Sequence, residues 1–196
     1  MRERALVTLL LAAFAVAPSD AQVSRDSLPE SPKRGGGLWV DAGFGYGHLS
    51  LTCSNCPDVI TANGAAVTVS AGFTPAGNVL LGLQAQRWSS SGGQEVSSLL
   101  AVVQWYPWPA TGFFTRAGNG IVRGPGDAGP QSPSSQGTGI EFALGVGYDL
   151  KLTRRLGLTM QATTHISALG DLTVNGVPTP DVIAYVSRLG VAVVFR

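Results

Sequence analysis

Residues 140 to 152 read IEFALGVGYDLKL, with Ile140, Phe142, Leu144, Val146, Tyr148 and Leu150 at every second position and Glu141, Ala143, Gly145, Gly147, Asp149 and Lys151 between them. Alternation at a period of two marks a β-strand, because successive Cβ atoms point to opposite faces of a sheet. A helix would scatter both sets around its circumference. The apolar face of such a strand lines either a protein core or a lipid boundary, and the rest of the chain must decide which.

The same template fits eight stretches, near 37–50, 65–73, 79–88, 96–106, 113–121, 140–152, 156–167 and 182–195. In the first, Leu38, Val40, Ala42, Phe44 and Tyr46 oppose Trp39, Asp41, Gly43, Gly45 and Gly47. In the fourth, LLAVV fits best with Leu99, Ala101, Val103 and Trp105 opposite Gln104. Most of these strands are about 9 to 13 residues long, beyond the usual 5 or 6 of globular sheets, and tilted strands of about 9 to 11 residues are what a bilayer demands.

Composition points the same way. Of 196 residues, 44% are hydrophobic and only 13% charged, where about 25% charged is usual for soluble domains. A net charge of +1 gives no long-range field of one sign, so nucleic acid and acidic substrates are not expected partners. No apolar run beyond residue 20 approaches the roughly 20 residues of a spanning helix.

The opening MRERALVTLLLAAFAVAPSDAQ has Arg2 and Arg4, an apolar stretch from Ala5 to Ala17, and small residues Ser19 and Ala21 where a signal peptidase reads. Residues 1–21 are expected to be a cleaved secretory signal. Residues 22–36, with Pro29, Pro32 and glycines from 35, read as a flexible periplasmic lead-in, and 37–196 as one domain.

The expected connections are 51–64, 74–78, 89–95, 107–112, 122–138, 152–155 and 168–181, and long ones alternate with short ones, as in outer-membrane barrels with short periplasmic turns and longer external loops. Trp105, Tyr106, Trp108, Phe113, Tyr148 and Phe195 fall near the short-turn end, and Trp88, Tyr46, Phe142 and Tyr185 towards the other, an arrangement expected of two interfacial aromatic girdles. The fold expected is all-β: an eight-stranded antiparallel up-and-down transmembrane β-barrel. Its apolar face meets lipid, and its glycines and charges face a narrow lumen.

The chain resembles the small eight-stranded outer-membrane barrels of Gram-negative bacteria, the OmpA-like and OmpX-like group. GVGYDLKLTRRLGLT is similar to the penultimate hairpin of that group, and YVSRLGVAVVFR to its closing strand. One departure is that Phe195 is followed by Arg196, where the closing strand commonly ends on the aromatic residue that the assembly machinery recognises. The resemblance implies the bacterial outer membrane as location. It also implies membrane lipid, lipopolysaccharide and the barrel-assembly machinery as partners, with loops 51–64, 122–138 and 168–181 free to meet a surface ligand. A soluble lipocalin-like barrel, suggested by GLW at 37–39, would turn Lys and Glu outward on every strand, whereas here the polar faces carry Gly, Ser, Thr and Gln.

Three groups of residues could carry chemistry. Cys53 and Cys56, in CSNCPD, are expected to form a short-range disulfide in a chain crossing an oxidising compartment. A zinc site would want more ligands than Asp58 and His48 add, and no metal or cofactor is expected. His165 and Ser167 share a strand face and invite comparison with barrel lipases that deacylate lipid A. They point to the lumen, however, and the next loop offers only Asp171 and Asp181 as an acidic partner. Asp41, Arg116, Glu141, Asp149 and Arg188 also take the lumen side and are expected to pair with one another. The function expected is structural or surface-interactive and not enzymatic. A lipid-A-modifying hydrolase and a small diffusion channel are the alternatives.

Overall fold

The computed structural model describes residues 37–53, 60–124, 137–153, 155–174 and 177–196, the side chains of 60 and 171–180 excepted. The expected signal and lead-in, Cys56, and the tips of the first and third long loops lie outside those residues. Eight strands follow in order: β1 Leu38–Thr52, β2 Ile60–Ala76, β3 Val79–Ser90, β4 Glu95–Trp105, β5 Phe113–Arg123, β6 Thr138–Lys151, β7 Leu156–Val174 and β8 Val177–Phe195. Each pairs antiparallel with the next, and β8 closes on β1. The architecture is a closed up-and-down barrel, and closure removes the two open sheet edges.

One row of cross-strand partners measures the stagger. From His48 on β1 it passes through Ser187, Thr164, Leu144, Ala117, Val103, Leu81 and Phe73 and returns to β1 at Leu38. That is a shear of ten residues, which tilts the strands against the barrel axis.

The period-two reading holds on every strand. Phe44, Val67, Leu83, Leu99, Ile121, Leu144 and Leu189 all stand outward and exposed, Leu189 at 71%. Soluble monomers rarely expose contiguous apolar patches beyond a few hundred square ångströms, and here the patch circles the molecule. The LLAVV ambiguity resolves by the same alternation, with Leu99, Ala101 and Val103 outward and Leu100 and Val102 inward.

Two expectations are corrected. Segment 168–181 is not a loop: β7 runs to Val174, β8 starts at Val177, and those two residues pair. The intervening Asn175-Gly176 is the dipeptide that two-residue hairpin turns favour. Pro178 and Pro180 had disguised the strand, which accommodates them beside register shifts at Ala168/Gly170 and Gly170/Leu172. Likewise the first long connection shortens, since β2 begins at Ile60.

The second correction concerns the girdles. Tyr46, Phe142, Tyr185, Trp105, Trp108, Tyr148 and Phe195 are exposed on the outer wall, but Trp88 and Tyr106 are fully buried inside the barrel. Height along the strand had placed them at the rims. Alternation decides the face, and Trp88 shares its side of β3 with Gln84 and Gln86, as Tyr106 continues the side of Gln104.

Candidate functional site

The lumen is layered. At the long-loop end Leu49, Leu51, Trp88, Val96, Val122, Leu169, Val182 and Val186 pack into an apolar plug. At the end where both termini of the barrel lie, Trp39, Leu80, Leu100, Val102, Tyr106 and Phe114 form a second. The sequence had placed glycines and charges on this inward face. The inward residues of the strand ends are instead apolar, and each plug tryptophan is seated against a glycine. A Cβ on Gly82 would stand 2.7 Å from Trp39 Cζ2, and one on Gly64 would stand 2.7 Å from Trp88 Cζ2.

All five lumen charges singled out from sequence, Asp41, Arg116, Glu141, Asp149 and Arg188, are buried inside the barrel. They form separate groups and not one network. Arg116 reaches from β5 across to β1, placing Nη1 3.7 Å from Asp41 Oδ2, and Nη2 donates to Ser70 Oγ at 3.0 Å. β1 and β5 are opposite walls of an eight-stranded ring, so this contact braces the barrel across its width.

Asp149 takes a partner the sequence reading did not name. Its Oδ2 accepts from Arg196 Nη2 at 2.5 Å and from Tyr106 Oη at 2.5 Å, and its Oδ1 accepts from Thr159 Oγ1 at 2.6 Å. Arg196 Nη2 also donates to Tyr106 Oη at 2.7 Å. The residue that breaks the usual closing-strand ending therefore turns its guanidinium into the lumen and caps it, leaving Phe195 exposed on the outer wall.

Among the described residues Arg188 has no carboxylate within ion-pair distance. The register sets it opposite Gly47 and Thr163, and Asp41 opposite Val194, so adjacency of the first and last strands does not bring the two charges together. Its Nε donates to Thr163 Oγ1 at 2.8 Å, and its Nη2 has no hydrogen-bond partner.

Glu141 gathers His165 and Ser167. His165 Nδ1 lies 2.7 Å from Glu141 Oε1, and Ser167 Oγ donates to Glu141 Oε2 at 2.9 Å. The acidic partner sought in the following loop is thus supplied by the neighbouring strand, where Glu141 pairs directly with Ser167. The geometry is nevertheless not that of an activated nucleophile. A general base must take the serine proton, and here that proton is given to the carboxylate while His165 Nε2 has no partner. Glu141, His165 and Ser167 are at most 1% exposed and lie inside the barrel, out of reach of an acyl chain on its outer wall.

A void bounded by Asp41, Arg116, Gln161 and Arg196 holds about 10 Å³, roughly the room of one water. Among the described residues no cluster of three or more His, Cys, Asp or Glu is placed to hold a metal ion. Cys53 is disulfide-bonded, and Cys56 lies outside the described residues.

No protein-family model matches the chain, and neither does any curated protein sequence. Among solved structures, Neisserial surface protein A (NspA) is similar over 81% of this chain and 97% of its own, with 18% identity and a TM-score of 0.52. Ail, the attachment invasion locus protein of Yersinia pestis, is similar over 81% of this chain and 99% of its own, with 14% identity and a TM-score of 0.55. At such identities what is shared is architecture, and the chain has the fold of the small eight-stranded outer-membrane β-barrels.

Proposed function

We propose that this chain is an integral barrel of the bacterial outer membrane whose role is structural or surface-interactive, and that it is neither a channel nor a hydrolase. The observation that carries this reading is the inversion of the molecule. Its outer wall is an apolar belt with aromatic rims, while its interior is filled by two apolar clusters and by buried charges. A conducting pore needs a continuous polar path, and an interior this narrow is filled by its own side chains. The work of such a molecule falls to its surfaces. The outer wall meets lipid and lipopolysaccharide, the closing strand with Phe195 meets the assembly machinery, and the long-loop end, carrying the connections 53–59 and 124–137, faces the exterior.

The test is carbonate extraction of membranes, followed by electrophoresis with and without boiling and by planar-bilayer recording. Carbonate-resistant, heat-modifiable protein without steady single-channel current is expected. Soluble periplasmic protein would overturn the membrane assignment, and large stable currents would overturn the sealed lumen.

A further inference from the structure

The Asp41–Arg116 and Asp149–Arg196 pairs each leave one guanidinium nitrogen over. Arg116 spends Nη1 on Asp41 and Nη2 on Ser70, and Arg196 spends Nη2 on Asp149 and Tyr106. Nε of Arg116 and Nε of Arg196 are both buried without a hydrogen-bond partner among the described residues, and so is Oε1 of Gln161. A buried donor or acceptor left unpaired is costly, and a charged one more so.

These three atoms belong to residues that bound one and the same void of about 10 Å³, whose polar wall also includes Asp41, Gln104 and Thr159. Arg116 and Gln161 are only 6% and 7% exposed, so bulk solvent does not serve them.

We infer that this void is the binding site of a single structural water, which joins the two ion pairs into one network. The chemistry selects water. Two guanidinium N–H groups need an occupant that accepts twice, and Gln161 Oε1, which can only accept, needs one that also donates. Water does both, and its second proton is free for Asp41, the carboxylate on the wall of the void. The room is that of one water and excludes a larger guest. Each of the two arginines already has its own carboxylate, so the site holds no net charge that would favour an ion. Through the water, β1 with Asp41, β5 with Arg116, β7 with Gln161, β6 with Asp149 and the end of β8 with Arg196 are tied to one another across the lumen.

The inference goes beyond the membrane reading and needs only the closed barrel, so a chain extracted by carbonate would leave it standing. The mature chain is refolded in detergent, checked for heat-modifiability and crystallised, with a bromide-soaked crystal alongside. One density peak is expected at about 2.7–3.2 Å from Arg116 Nε, Arg196 Nε and Gln161 Oε1, without anomalous signal from bromide. Side chains that close the void by bonding directly to each other, or a bromide signal inside it, would overturn the water site. In urea unfolding of the same protein, the effects of Arg116→Met and Arg196→Met on the unfolding constant should fail to multiply in the double variant by about twofold or more. In a Gln161→Met background they should multiply. Effects that multiply from the start, or a departure that survives Gln161→Met, would show that the two pairs are not joined through this site. The crystallographic measurement needs no variant, so it decides even where one of them fails to fold.

Discussion

The guanidinium of Arg196 lies 2.5 Å from the carboxylate of Asp149, inside the barrel and beneath the ring of Tyr106, whose centroid is 5.8 Å from Arg196 Cζ. Arg196 thus ties the closing strand to β6, which it does not pair with, and to Tyr106, just beyond β4.

Arg196→Ala should lower the unfolding free energy by about 1–3 kcal/mol, the range for charge-assisted hydrogen bonds. Asp149 keeps Tyr106 and Thr159 as donors, which limits the loss. Urea unfolding in lipid vesicles, followed by tryptophan fluorescence, measures it. A double-mutant cycle with Asp149→Asn should return a coupling energy above about 0.5 kcal/mol, and additive losses would mean that the contact does not contribute.

The two mid-lumen arginines should not be equivalent. Arg116→Ala leaves Asp41 buried without its cation, and breaking a buried pair by removing one partner costs about 3–5 kcal/mol. Arg188→Met removes a guanidinium that, among the described residues, is hydrogen-bonded to Thr163 alone and fills the space with apolar atoms, so its cost should be well below that of Arg116→Ala. Equal losses in the same unfolding experiment would show that Arg188 is neutralised by carboxylates at longer range.

Gly82→Ala places a methyl group against Trp39. That methyl would also stand 2.4 Å from Ala71 O, so both the paired β2 backbone and the indole must give, and overpacking of this kind typically costs about 1–3 kcal/mol. Changed Trp emission together with a lowered urea midpoint is expected. An unchanged midpoint would mean that the β2 backbone at Ala71 and Trp39 both have room to shift.

The carboxylate of Glu141 is the acceptor for both His165 and Ser167. Glu141→Ala should therefore destabilise the barrel more than Ser167→Ala, which removes one donor and leaves the other in place. Neither Ser167→Ala nor His165→Ala should alter deacylation of lipopolysaccharide by purified protein beyond background. Hydrolysis that disappears with Ser167→Ala would restore the catalytic reading.

Much of this was fixed locally. Alternation at a period of two assigns each side chain to a face, because it follows from the backbone of a single strand. It put Asp41, Arg116, Glu141, Asp149 and Arg188 inside the barrel before any strand was paired, and read carefully it would have put Trp88 and Tyr106 there too. A short turn then sets the register of its hairpin. A hairpin across 152–155, with inward residues kept opposite inward ones, brings Glu141 to Ser167 and Asp149 to Thr159, as observed. Contacts across the lumen obey no such rule. Arg116 to Asp41 and Arg196 to Tyr106 join strands or strand ends on opposite walls, and Arg188 misses Asp41 although their strands are neighbours. Those outcomes depend on the shear at which β8 closes on β1, a property of the whole ring and of no segment within it.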